Sequence, residues 1–376
     1  MRVLIRCDAS AAIGFGHLMR CIALAQRLKA SGDQVSFLIR EEPAAVRILR
    51  QAGLPAVWLP RRCALNTVLG RLKRLVASSR AAGQSPWVVV DSYEAPQRQS
   101  RAALAAGAQV LVVNDAGHAP AHVHAIVNPN LDASRAWYPN ANGARLLLGA
   151  PYALLRREFH TVRRSASAAA ARRVAARSAA RGTSSPAGIV PARSLAGTVK
   201  RILVTLGGSD AGNRTALVLQ GFGLLEERRR RALEIHVVLG FGNGRAVVIT
   251  RLARQLGLRC RVHRGVDRMA PMLARADMAI TAAGGTLFEA ARCGVPLAMV
   301  TLAKNQQRNA AAFARRGLGL RLGSAATLTP RAVANGITRL LDDAPLRASM
   351  RARGCALIDG QGPRRIRQAM AAMERV

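Results

Sequence analysis

Short apolar runs alternating with longer amphipathic stretches predict an α/β chain built on parallel sheets. Three observations carry that expectation. A strand-like run, a glycine-bearing loop and a helical stretch open the chain, and the same trio restarts at Arg201. Half of the 376 residues are apolar, enough for two ordinary cores. Between about His160 and Lys200 the pattern collapses into alanine, arginine, serine and glycine, and the stretch Ser165 to Ala187 holds no aromatic and no acidic residue. Such a stretch cannot offset its own ordering entropy by apolar burial. The expected organisation is therefore a first domain over 1–159, a linker over 160–200, and a second domain over 201–376. The last helical stretch, Gly362 to Arg375, is a candidate to cross back to the first domain.

In the first half, Arg2-Val-Leu-Ile-Arg6 predicts a strand, Asp8 to Gly16 a loop, and Met19, Ile22, Leu24, Ala25 and Leu28 the apolar face of a helix ending at Ser31-Gly32. Strands follow at Gln34 to Ile39, Ala56 to Leu59, Trp87 to Asp91, Gln109 to Val113, Ala125 to Val127 and Arg145 to Leu148. Helices are expected at Pro43 to Ala52 and Asn66 to Ala82. In the second half, strands are expected at Arg201 to Leu206, Glu234 to Leu239, Cys260 to His263 and Leu318 to Leu322, with an apolar run at Asp277 to Ile280. Helices fill the gaps and continue from Pro330 to the end.

In open parallel sheets ligands collect at the carboxyl ends of strands. His17 follows the first such loop, Gly14-Phe-Gly16, and begins a helix whose amino end disfavours an imidazolium; this suits a general base, though a capping role fits the position equally. Asp91, Ser92 and Tyr93 end the most apolar strand. Asp91 is there either to meet substrate or to cap the next turn. In the second half, Gly284-Gly285-Thr286 lies between an apolar run and a helix, where backbone amides can meet a diphosphate without a Cβ in the way. Glu289 stands about one turn on, where a carboxylate can take both hydroxyls of a ribose, and Asn305, Gln306 and Gln307 open the next helix. These features describe a nucleotide clamp.

The charge balance, 57 − 20 = +37, is almost all arginine scattered among alanines. Aromatic residues are 3% of the chain and no nucleic-acid motif is present, which argues against nucleic acid as partner. A nucleotide-sugar or an anionic membrane surface would both feel this field. The six cysteines are widely spaced with no C-x-x-C pair, as expected for buried thiols in a reducing compartment. The amino-terminal residues lack a secretory pattern, and no apolar run approaches membrane-spanning length, so a cytoplasmic location is expected. His118, His122 and His124 lack a carboxylate or cysteine to complete a metal site, and neither metal nor cofactor is expected.

Several motifs together resemble a known family. They are Arg6-Cys-Asp8, Ile13-Gly-Phe-Gly-His-Leu-Met-Arg-Cys21, Val90-Asp-Ser-Tyr93, Leu148-Gly-Ala-Pro-Tyr-Ala-Leu-Leu-Arg-Arg-Glu-Phe159, Thr205-Leu-Gly-Gly-Ser-Asp210, Ala283-Gly-Gly-Thr286, Glu289 and Asn305-Gln306. The chain resembles the UDP-sugar hydrolases of the pseudaminic acid pathway and their spore-coat polysaccharide relatives, over nearly its whole length outside the linker. The resemblance implies two Rossmann-like domains facing each other across a cleft, the glycosyltransferase-B architecture. It also implies inverting, metal-independent hydrolysis of a UDP-linked diacetamido-trideoxy sugar. His17 would handle the water, with Asp91 and Tyr93 near the sugar. Asp8, Gly14, Gly16, Arg20, Asn114 and Asp115 would line the substrate. Gly207, Gly208, Ser209, Gly284, Gly285, Thr286, Glu289, Asn305 and Gln306 would hold UDP. At 114–115 the chain departs from the common family pattern, with Asn-Asp where many members have Asp-Asp. Two other readings fit the same residues: a glycosyltransferase using an acceptor hydroxyl, and a nucleotide-sugar-binding protein without turnover.

Overall fold

The computed structural model describes residues 1–10, 13–115, 117, 120, 122–141, 143–160, 163–164, 189–190, 198–208, 210 and 212–374. Most of the expected linker, with Ser209 and His118, lies outside the described residues. The chain divides into two compact units, Met1–Arg157 with Gly360–Val376, and Glu158–Asp359.

The first unit is a seven-stranded parallel sheet. Its strands are β1 (Arg2–Cys7), β2 (Gln34–Arg40), β3 (Ala56–Leu59), β4 (Trp87–Asp91), β5 (Gln109–Val113), β6 (Ala125–Asn128) and β7 (Arg145–Leu148). They run in the order β3-β2-β1-β4-β5-β6-β7. The connections are α1 (Gly16–Ala30), α2 (Pro43–Gln51), α3 (Leu65–Ala81) and α4 (Pro96–Ala105), with irregular segments beyond β5. Strand β4, Trp-Val-Val-Val-Asp, is buried along its whole length, as a central strand covered on both faces requires. The order reverses between β1 and β4, so the loops leaving these two strands diverge and open a crevice at their carboxyl ends. Cys7 is in register with Asp91 at that edge.

Residues 360–374 belong to this unit rather than to the second, where most of the expected 201–376 domain resides. The helix Gly362–Met373 packs on α1 with Ile366, Ala369 and Met370 buried. Arg365 donates to the Pro151 carbonyl at 2.9 Å and Arg367 to Asp33 at 3.0 Å. A Cβ at Gly362 would stand 2.2 Å from the Ala153 carbonyl oxygen, so only glycine permits this approach. Gly362→Ala is expected to destabilise the protein by about 1–3 kcal/mol, the usual size of an overpacking cost, read as a lower urea midpoint at unchanged slope. An unaltered midpoint would mean that the helix docks elsewhere.

The second unit holds a six-stranded parallel sheet of order β12-β11-β10-β13-β14-β15. These strands are β10 (Arg201–Thr205), β11 (Glu234–Leu239), β12 (Cys260–Arg264), β13 (Met278–Ala282), β14 (Leu297–Thr301) and β15 (Leu320–Ser324). A two-residue parallel pair, β8 (Arg163–Arg164) with β9 (Ile189–Val190), precedes it. The core on one face joins Ile202, Val204, Ile235 and Val237 to Val218 and Phe222 of helix Arg214–Gly223 and to Val333 and Ile337. Glu158 and Phe159, expected in the first domain, sit in this unit. Glu158 accepts from the amides of Met269 (3.2 Å) and Ala270 (3.4 Å), and Arg292 donates to the Phe159 carbonyl at 3.1 Å. Here the order reverses between β10 and β13, whose ends pair Thr205 with Thr281. No helix among the described residues is long and apolar enough to cross a membrane.

Candidate active site

At the crevice of the first unit, β1, β4, β5 and the start of α1 bring together His17, Arg20, Asp91, Tyr93 and Asp115. Ser10 and Gly14 bridge across the loop before α1, with Gly14 at φ 85°, and this turn aims the first residues of α1 at the strand ends. His17, Arg20 and Cys21 are spaced i, i+3 and i+4, so they share one helical face and all reach Asp91. His17 Nδ1 lies 2.6 Å from Asp91 Oδ1. Arg20 grips both oxygens of that carboxylate, Nε to Oδ2 at 2.6 Å and one terminal nitrogen to Oδ1 at 2.5 Å. The Cys21 thiol donates to Oδ2 at 3.3 Å. The other terminal nitrogen of Arg20 donates to Asp115 at 2.8 Å, and the Tyr93 hydroxyl donates to the second oxygen of Asp115 at 2.8 Å.

Asp91 is fully buried. Burial alone would raise its pKa, but Arg20 and His17 outweigh that and hold the carboxyl well below the usual carboxylate range. Asp115 shows the same balance: burial opposes the charge, and Arg20 restores it and more. Because Asp91 is ionised, the hydrogen shared with His17 belongs to Nδ1, and in the neutral ring Nε2 keeps its lone pair. His17 is only 6% exposed, and the Tyr93 ring stands edge-on to it at 4.4 Å. Burial, with Asp115 next, pushes the Tyr93 phenol far above its ordinary range, so it remains a hydrogen-bond donor. The chemical capacity of this group is that of a base oriented by a carboxylate.

A second, adjoining network fixes the loops behind it. Arg6, fully buried at the end of β1, pairs with Asp8 at 2.7 Å. Asp8 accepts from Ser92 at 2.5 Å, and Arg40 reaches Glu94 at 2.7 Å. Asn114 is 7% exposed; its side chain accepts from the Gly117 amide at 2.9 Å and its carbonyl from Tyr138 at 2.8 Å. Asp8, Asn114 and Arg20, expected to line the substrate, thus direct their polar groups to neighbouring protein groups. Gly16 is the first residue of α1. Arg6, Cys21, Arg40, Glu94 and Tyr138 were not singled out as site residues from the sequence, whereas Ser92 was named at the end of β4 with Asp91 and Tyr93. The signal for Cys21 was its i+4 spacing from His17, and for Glu94 its place just past β4.

In the second unit, Gly207 (φ 88°) and Gly208 follow β10, and the Gly208 carbonyl accepts from the Gly242 amide at 3.0 Å. Asp210 closes the amino end of helix Arg214–Gly223, accepting from the amides of Arg214 (2.8 Å) and Thr215 (3.0 Å). An anion at this loop therefore has the glycine amides to use and not the amino end of that helix, because a carboxylate already occupies it. Gly284, Gly285 and Thr286 leave the end of β13, and Glu289 lies half-buried on helix Thr286–Arg292. Asn305 and Gln306 open helix Gln306–Arg315 after β14. Gln306 accepts from the Leu302 amide at 3.0 Å, and its amide nitrogen lies 3.7 Å from where a Cβ on Gly284 would stand. Asn309 donates to the Ala283 carbonyl at 3.2 Å, holding this helix against the β13 loop. All the described UDP candidates thus sit at the carboxyl ends of β10, β13 and β14. His124 accepts from the Val110 amide at 3.1 Å, and among the described residues no cluster of three or more potential metal ligands occurs.

The fold and these loops define a two-unit α/β chain of the glycosyltransferase-B type. Residues 201–357 match the glycosyltransferase family 28 C-terminal domain. An uncharacterized protein of Methanocaldococcus jannaschii is 23% identical over 309 residues, covering 80% of this chain and 55% of the relative. The spore coat polysaccharide biosynthesis protein SpsG of Bacillus subtilis is 28% identical over 163 residues, 43% of this chain and 47% of the relative. The chain thus spans about half the length of the curated relatives it matches. Among solved structures, the Anabaena Alr3699/HepE complex with UDP is similar at 14% identity and a TM-score of 0.61, over 99% of this chain and 100% of the other.

Proposed function

We propose that this chain is an enzyme that hydrolyses a UDP-sugar, releasing UDP, with His17 as the base that takes the proton from water. The observation that carries this reading is the 2.6 Å contact of His17 Nδ1 with a buried carboxylate held ionised by Arg20. UDP is a good leaving group once its diphosphate is neutralised by backbone amides, so the remaining task is to orient water and remove its proton. A single displacement by water inverts the anomeric centre. Asp8 is paired with Arg6, and Asp91 and Asp115 share Arg20, so these carboxylates are engaged by arginines of their own unit. Asp91 orients the base, and Tyr93 covers it beside the sugar. The sugar is of the diacetamido-trideoxy class to which the sequence motifs point, on the route to nonulosonic acids.

Nucleotide holding falls to Gly207, Gly208, Ser209, Gly284, Gly285, Thr286, Glu289, Asn305 and Gln306. The UDP seen in the Alr3699/HepE complex supports that class of ligand. If Glu289 takes the ribose hydroxyls, Glu289→Ala weakens UDP binding by roughly 1.5 to 3 kcal/mol, the worth of a charge-assisted pair of hydrogen bonds. Calorimetry giving the wild-type affinity would remove Glu289 from the site.

Transfer of the sugar to an acceptor hydroxyl is the second reading, favoured by the family 28 match over residues 201–357. A panel of UDP-amino sugars incubated with the enzyme alone separates the two. UDP release without acceptor supports hydrolysis, and release only on adding an acceptor supports transfer.

A further inference from the structure

Arg20 is placed unlike a substrate-binding arginine. Its side chain is 18% exposed, and Nε and both terminal nitrogens point at protein groups, with two bonds to Asp91 and one to Asp115; the nitrogen that donates to Asp91 Oδ1 also passes 3.1 Å from His17 Nδ1, a close approach and not a bond when Nδ1 carries the proton. The Asp91 carboxylate receives no water-like exposure, and its oxygens face His17, Arg20 and Cys21. Cys21 is itself buried, and burial with the neighbouring Cys7 pushes its thiol well up, so it adds a weak donor and no charge. Among the described residues, Arg20 is therefore the cation paired with both carboxylates of the group, the fully buried Asp91 and the partly buried Asp115.

We propose that Arg20 is a positioning residue that keeps Asp91 a pure hydrogen-bond acceptor and thereby keeps the His17 ring proton on Nδ1, with Nε2 left as the base. This rests on the reading of His17 as base given above. The chemistry follows from proton count. With Arg20 present, Asp91 is a carboxylate, it can only accept, and the proton it shares must be carried by Nδ1. Without Arg20, the fully buried Asp91 and the partly buried Asp115 lose the cation they share, and a buried carboxyl in that state takes up one proton from solvent. Protonated Asp91 then donates to Nδ1, and the proton formerly on Nδ1 is carried by Nε2. The ring is still neutral, but its lone pair faces Asp91 and the base is lost. Asp115 lies on the far side of the same guanidinium, so its charge adds to the demand for Arg20 without touching His17 in any described contact.

The test is nitrogen NMR of the intact protein labelled at its seven histidines, with the His17 signals identified by their loss in His17→Gln. Wild type should show a protonated Nδ1 and an unprotonated Nε2 in the neutral ring. Arg20→Met should show the reverse assignment, matching Asp91→Asn, whose side-chain amide can also donate to Nδ1. Arg20→Lys, which keeps the charge, should restore the wild-type pattern. If Arg20→Met fails to fold, Arg20→Gln, which keeps an uncharged donor, should show the reversed ring. A ring proton that stays on Nδ1 in the neutral variants overturns the proposal. Turnover is read separately: kcat falls roughly 10²-fold with KM held if His17 is the base. Reversal of the ring with turnover unchanged keeps the assignment of Arg20 and sinks the assignment of His17.

Discussion

Replacing His17 by glutamine is expected to lower turnover by about 10²-fold to 10⁴-fold while UDP affinity stays near wild type. Binding is spared because the nucleotide candidates lie on the loops of the second unit, and His17 contacts Asp91, Arg20 and Tyr93 of the first. Glutamine keeps a donor for Asp91 but has no lone pair of imidazole basicity. The measurement is steady-state kinetics alongside calorimetry with UDP. A folded variant that keeps most of its activity would remove His17 from the role of base.

Asp91→Ala should destabilise the protein by about 3–5 kcal/mol in denaturant titrations, because it removes a fully buried carboxylate and leaves the partly buried Arg20 without its main partner. The same pairing sets a pH dependence. The folded pKa of Asp91, and that of Asp115, is depressed below the unfolded value, Arg20 and the hydrogen bonds outweighing burial. A depressed carboxyl contributes stability that is fully present above the unfolded value, near pH 4, and lost as pH falls through the folded one. Denaturant midpoints should thus fall below about pH 4 in the wild type. In Asp115→Asn the fall should be shallower, since one of the two groups no longer titrates. Equal slopes would show that these carboxylates do not drive acid unfolding.

Much of the architecture was legible because burial writes itself into composition. A run such as Trp87-Val-Val-Val fits only a covered strand, and the second start at Arg201 announced a second sheet. Helix α4 was not foreseen: its buried face is Gln99, Ser100, Ala102 and Ala103, so the apolar period that marks a helix is absent. Nor was the membership of Gly362–Met373 in the first unit fixed beforehand, since periodicity reports that a helix has a buried face and not which sheet covers it.

In the site, His17 could be picked out at the start of the helix after the first loop, and Asp91 at the end of a strand. That they touch, across 74 positions of chain, depends on β1 and β4 being neighbours, which no local pattern encodes. The contacts of Arg20 illustrate the limit. An arginine beside a cleft reads as an anion binder, and only the geometry reveals that two carboxylates of its own chain already occupy its fork. Arg6 is the opposite case: an arginine following Val3-Leu4-Ile5 at the end of β1 gave no hint that it is buried on a paired Asp8.

The most direct test of the central claim is hydrolysis in oxygen-18 water with no acceptor, products analysed by mass spectrometry. The account predicts UDP released without label and free sugar carrying one labelled oxygen at its anomeric carbon. Label in the diphosphate, or UDP release that depends on an added acceptor, would contradict it.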